Sequence, residues 1–236
     1  GRGAYRMEDH VLDLITVLDH LEIDRVVAIG WSMGVQLNFE VARFHRDRLS
    51  AIVALNGTFG NPFKTAFNSR LIEPLVPFAV GGMKASAPFM PMLAPLAERI
   101  DMVLPLARIA GLVGPGLREE VFYDLVADFV RLDFNAYAEI FARLGDHDAS
   151  DYLPRVTVPT LILAGERDLF TPPRCSKRMA ELVPDAELKI LPKATHYAPV
   201  ECPEVINEYL DAFLEKVGAP WAKKRARRRA TRKSAS

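Results

Sequence analysis

A serine, a histidine and an aspartate in this chain have the types and surroundings that acyl-transfer chemistry requires. Gly30-Trp31-Ser32-Met33-Gly34 is a Gly-x-Ser-x-Gly pentapeptide. A serine hydroxyl is a poor nucleophile until a base removes its proton and a third group holds that base. The pentapeptide answers the need for exposure. A serine on a strand-to-helix turn needs a strained backbone, and glycines two residues either side let strand and helix approach without a Cβ clash. At the start of the following helix, the backbone N–H of Met33 is the expected first oxyanion donor. The competing reading is a glycine-bracketed turn with a solvated serine.

The base must come from five histidines. His10, His20 and His45 fall on or at the ends of helical patterns and read as surface residues. His147 lies in Gly145-Asp146-His147-Asp148 and reads as a solvated loop histidine. His196 differs, because Pro192-Lys193-Ala194-Thr195-His196-Tyr197 directly follows the last strand pattern. In doubly wound sheets, sites gather at the carboxyl ends of strands. The acid should do the same. Gly165-Glu166-Arg167-Asp168 follows Leu161-Ile162-Leu163-Ala164, so Asp168 is the expected third member, with Glu166 as competitor. Asp146, Asp148 and Asp151 precede that strand and fit worse.

These three residues need a scaffold, and the apolar periodicity supplies one. Residues 8–21 read as an amphipathic helix through Val11, Leu14, Ile15, Leu18 and Leu21. Residues 25–30 form a short apolar run, as expected of a parallel strand covered on both faces. A helix over 33–46 and a strand over 49–55 complete a β-α-β alternation, which implies right-handed crossovers. From 56 to 150 the strand signal stops; Pro and Gly are frequent to Gly116, then helices are expected over 117–132 and 134–144. The alternation resumes with a strand over 158–164, a helix over 174–183, a strand over 186–191 and a helix over 203–217. The fold class is α/β, a parallel sheet flanked by helices and interrupted by a helical insert.

The 236 residues hold 30 basic and 30 acidic side chains, and this neutrality conceals two unlike parts. Eight basic residues and no acid lie between Gly218 and Ser236, which leaves residues 1–217 with a formal charge of −8. Half the residues are hydrophobic, which excludes disorder throughout and any collagen-like class. Cys175 and Cys202 have neither disulfide-framework nor metal-ligand spacing. The most apolar run, 75–97, is broken by Lys84 and several prolines, so no spanning helix is expected.

With Ser32, Asp168 and His196 in that order, the chain resembles the α/β-hydrolase superfamily over roughly residues 1–217, in particular members with a helical cap inserted before the acid-bearing strand. Val35 and Thr195 stand where family members often carry glycine. The resemblance implies a hydrolase core in two parts (1–58 and 151–217), a cap over 59–150, and a basic disordered tail over 218–236. It also implies that the strands before the elbow and the second oxyanion donor precede Gly1, leaving the fold N-terminally truncated and poorly soluble or inactive alone.

The expected activity is hydrolysis of a carboxylic ester of a small, partly apolar substrate, without metal or cofactor. The same triad serves thioesters, carbon–carbon hydrolysis, acyl transfer and perhydrolysis. The rival from another class is a non-catalytic binding protein of the same fold. Trp31, Phe59, Phe63 and Tyr197 are the candidate pocket residues. Phe67, Phe78, Phe89, Met83, Met90 and Met92 could line that pocket or pack the cap onto the core. The tail is read as a solubilising extension, with nucleic acid or an anionic surface as its other possible partner. A cytoplasmic location is expected.

Overall fold

The structure, a computed structural model, describes residues 5–90, 92 and 103–218. Gly1-Arg2-Gly3 and the basic tail beyond Gly218 lie outside the described residues.

Helix α1 spans Met7–His20 and opens with Glu8 and Asp9. The Asp9 carboxylate accepts the Arg6 N–H at 2.9 Å, satisfying one of the donors that a helix start leaves free. Strand β1 (Val26–Trp31) leads into α2 (Met33–Phe44), and β2 (Leu49–Leu55) follows. After β2 comes the insert: α3 (Ile72–Ser86), α4 (Val103–Ile109), α5 (Glu119–Phe129) and α6 (Phe134–Arg143), with no strand among its described residues. Asp133 caps α6 by accepting from the Asn135 and Ala136 N–H groups. The chain then returns through β3 (Thr160–Gly165), α7 (Pro173–Leu182), β4 (Glu187–Leu191), α8 (Ala198–Glu201) and α9 (Pro203–Lys216). The strand over 49–55 matches the sequence expectation at both ends, and the other expected boundaries agree or differ by up to three residues, as frayed element ends do.

The four strands among the described residues are all parallel, in the order β1-β2-β3-β4, with β1 at one edge of this sheet. Every residue of β3, and all of β2 except Ser50, is buried. The alternation of strand side chains divides them between two cores. Ile52, Ala54 and Ile162 face Val11, Val35 and Phe39 of α1 and α2. Ala51, Val53, Leu161 and Leu163 face Ile206 and Phe213 of α9. With helices on both faces, an apolar run without polar alternation is what a buried parallel strand requires. A third cluster joins the insert to the core, where Leu104, Val113, Leu117 and Phe122 meet Val200 of α8.

The expectation for His147 is overturned. It is buried, and its Nε2 lies 2.8 Å from Oε1 of the equally buried Glu40. The polar loop turns back onto α2, where Glu40 occupies the core-facing side, and a carboxylate withdrawn from water needs a partner. Both cysteines are free. Among the described residues, no helix is long and apolar enough to cross a membrane.

Candidate active site

Four strand ends converge at one edge of the sheet. Ser32 follows β1, Asn56 follows β2, Asp168 lies three residues beyond β3, and His196 lies five beyond β4. Ser32 holds φ 56° and ψ −116°, a backbone state that L-residues rarely adopt. Its N–H still donates to Leu55 O at 3.1 Å, so the β1–β2 ladder runs up to the turn itself. The close approach occurs at Gly30, where a Cβ would fall 2.2 Å from Gly34 O. At Gly34 a Cβ would meet nothing within 4 Å, so only the first glycine is required by contact. Met33 is the first residue of α2, and its N–H therefore has no intrahelical acceptor.

The structure brings Ser32, His196 and Asp168 together. His196 Nε2 lies 2.9 Å from Ser32 Oγ, and Nδ1 lies 2.9 Å from Asp168 Oδ2. Glu166 points elsewhere, accepting the Lys193 N–H at 2.8 Å. Asp168 is fully enclosed. Its Oδ1 accepts from the Phe170 and Thr171 N–H groups at 2.9 and 2.8 Å. Its Oδ2 also accepts from Thr171 Oγ1 at 2.8 Å and Asn56 Nδ2 at 2.9 Å. Burial alone would raise this carboxyl; His196, Thr171 and Asn56 outweigh it and hold Asp168 below its ordinary value of 3.8.

Three residues that sequence reasoning missed hold this arrangement. Asn56 donates through one Nδ2 to both Asp168 and Thr195 O, so it ties the acid to the histidine loop. Thr171 supplies two of the donors to Asp168. Glu201 accepts the Thr195 N–H at 2.7 Å, Thr195 Oγ1 at 2.5 Å and the Gly114 N–H at 2.6 Å, which joins the insert to the residue before His196. In the sequence Glu201 stands just before the helix expected over 203–217, and its residue type does not mark this role. Trp31 fixes the other side of the loop through Nε1 to His196 O at 3.0 Å.

A cavity of about 620 Å³ opens above Ser32 between the sheet edge and the insert. Trp31, Phe63, Phe67 and Tyr197 line it. Phe59 does not. It packs against the core on the α2 face, and its carbonyl accepts the Ala149 N–H at 2.8 Å, holding that segment down on the sheet. Phe78, Phe89 and Met92 are exposed and line no part of the cavity. Among the described residues, no group of three or more His, Cys, Asp or Glu side chains could hold a metal ion.

Comparison with known proteins gives a consistent result. A family model described as alpha/beta hydrolase family matches residues 1–209. The chain is 24% identical over 219 residues to 3-oxoadipate enol-lactonase 2 of Acinetobacter baylyi, which covers 91% of this chain and 73% of that protein. It is similar to a thermophilic esterase from Thermogutta terrifontis, with 23% identity, a TM-score of 0.66, and 91% of this chain and 74% of that one covered. It is likewise similar to the enol-lactonase from Burkholderia xenovorans LB400, with 25% identity, a TM-score of 0.67, and 89% and 74% covered.

Proposed function

The chain belongs to the α/β hydrolase family and is a hydrolase, and from that premise we propose that it cleaves esters of small, partly apolar substrates with Ser32 as nucleophile. The observation that carries this reading is one imidazole set 2.9 Å from a serine hydroxyl on one side and 2.9 Å from a buried carboxylate on the other. His196 Nε2 takes the proton from Ser32 Oγ as Oγ attacks the ester carbonyl carbon. The carbonyl oxygen gains the charge, and the Met33 N–H is one donor placed for it. Collapse expels the alcohol, which takes the proton from His196; water then repeats the sequence on the acyl-serine and releases the acid. Asp168 holds the imidazole with Nδ1 protonated and stabilises the imidazolium.

The helices between β2 and β3 act in this reading as the cap, over 59–150 between the core parts 1–58 and 151–217. An apolar lining supports a substrate with a hydrocarbon or aromatic portion. The lactonases and the esterase among the similar proteins take their names from ester linkages, which supports an ester; others are named putative carbamate hydrolases, whose bond the same attack on a carbonyl would cleave.

Treating the protein with a fluorophosphonate tests this. One label per chain is expected, abolished in Ser32→Ala and strongly slowed in His196→Ala. Undiminished labelling of Ser32→Ala, or none of the complete protein, would sink the proposal.

A further inference from the structure

Among the polar groups lining the cavity above Ser32 that the proposed ester chemistry does not use are two phenol hydroxyls. Tyr197 comes from the core, beside His196, and Tyr137 from α6 of the insert; both line the cavity. Their rings are fixed by packing. Tyr197 stands edge-on to Phe122 at 5.3 Å and to Trp31 at 6.0 Å, and Tyr137 edge-on to Phe129 at 5.0 Å. Neither hydroxyl has a hydrogen-bond partner among the described residues, whereas the Tyr152 hydroxyl donates to Ala42 O. Burial raises the pKa of both phenols, and Tyr137 adds to the effect on Tyr197, so both stay protonated donors well above neutral pH.

The rest of the wall sharpens what could use those donors. Among the described lining residues there is no Lys, Arg, Asp or Glu. An ionised group on a substrate would leave its hydration behind and meet no opposite charge, whereas a neutral oxygen would find two waiting donors. A purely hydrocarbon limb would leave both hydroxyls unsatisfied. The Tyr197 ring lies 6.2 Å from the imidazole of His196, so this subsite begins close to the reacting bond.

Resting on the serine-hydrolase reading, we infer that Tyr137 and Tyr197 form a specificity subsite for a neutral, hydrogen-bond-accepting oxygen, a ketone or ether, on the apolar limb of the ester. The same wall rejects a carboxylate at that place. The pair spans core and insert, so a ligand oxygen held by both also holds the insert over the site.

The test is kcat/KM for three p-nitrophenyl esters of equal chain length: a hydrocarbon acyl chain, its mid-chain ketone and its terminal carboxylate. Each is measured on the parent protein, Tyr137→Phe, Tyr197→Phe and the double variant, with thermal unfolding to confirm folding. The ketone-to-hydrocarbon ratio should exceed one in the parent and drop about fivefold in each Phe variant, the size of one neutral hydrogen bond. The carboxylate ester should lag the ketone by about 50-fold or more. A ratio unchanged by both Phe substitutions, or a carboxylate ester turned over as fast as the ketone, would overturn the inference. Fluorophosphonate labelling of the same preparations keeps the two ideas separate. Normal labelling with an unchanged ratio overturns the subsite alone, whereas failure to label overturns the serine reading and the subsite with it.

Discussion

Replacing Asp168 by asparagine asks the site a question with a calculable answer. All five partners of this carboxylate are donors: two backbone N–H groups on Oδ1, and Thr171, Asn56 and His196 on Oδ2. An amide must turn its NH₂ toward one set. The backbone donors cannot change, so the NH₂ takes the Oδ2 side. There Thr171 can rotate its hydroxyl to accept, and His196 can give up the proton on Nδ1. Asn56 cannot adapt, because its Nδ2 also serves Thr195 O at 2.9 Å, and turning the amide would set two oxygens face to face. One charge-assisted bond thus becomes a pair of opposed donors, at a stability cost of about 3 kcal/mol, or about 9 °C in Tm for a chain of this size. The forced tautomer carries its proton on Nε2, facing Ser32, where it cannot accept one. Turnover should drop by about 10⁴-fold while substrate binding changes little. Thermal unfolding, steady-state kinetics and a nitrogen NMR spectrum of the His196 ring read the three consequences separately. Turnover within tenfold of the parent, or a ring still protonated on Nδ1, would refute the argument.

Two further expectations follow from the same geometry. Asp168 titrates below its ordinary value in the folded chain, so its ionised form stabilises the fold fully above about pH 4, and that contribution disappears as the pH drops through the lower native value. Circular dichroism between about pH 5 and pH 2 should show a steeper acid loss in the parent than in Asp168→Asn, and equal slopes would count against it. Gly30→Ala puts a methyl group 2.2 Å from Gly34 O and should cost about 3 kcal/mol together with most of the activity, whereas Gly34→Ala, facing open space, should leave Tm level or slightly higher. Equal losses in the two variants would contradict the one-sided packing.

What the sequence disclosed depended on whether a residue's role was carried by its place along the chain. The strands were readable because β2 and β3 are apolar without alternation, and only a sheet covered on both faces calls for that. Ser32, Asp168 and His196 each follow a strand within a few residues, so position alone put them on the same sheet edge. Asn56, Thr171 and Glu201 follow no comparable rule. Each acts through hydrogen bonds between segments far apart in sequence (Asn56 reaches residues 168 and 195), and nothing about an isolated Asn, Thr or Glu announces that. His147 was misread for the same reason. Its neighbours in sequence are polar, but its partner Glu40 lies on a helix more than a hundred residues earlier. Phe59 misled in the opposite sense: an aromatic residue early in an insert suits a pocket or a core equally well, and only the path of the chain after Asn56 decides.

Everything the insert contributes to the cavity wall, from Pro62 to Leu144, is encoded in one uninterrupted stretch between β2 and β3. The groups proposed to do chemistry are instead scattered over three strand ends. Two genetic crossovers, one after Asn56 and one before Thr160, would therefore replace the insert's half of the binding wall and leave the reacting atoms as they are. The seam such an exchange must respect has two sides: around the histidine loop, Gly114 against Glu201, Leu112 O under Thr195 Oγ1, and Arg118 on Val200 O and Glu204; along α2, His147 on Glu40, Tyr152 on Ala42 O, and Gly60 and Leu144 O under Gln36. A transplanted insert that keeps an N–H opposite Glu201 and a carbonyl opposite Thr195 Oγ1 would preserve the contacts that hold the histidine loop. Lineages of this chain could thus change what they bind faster than how they react.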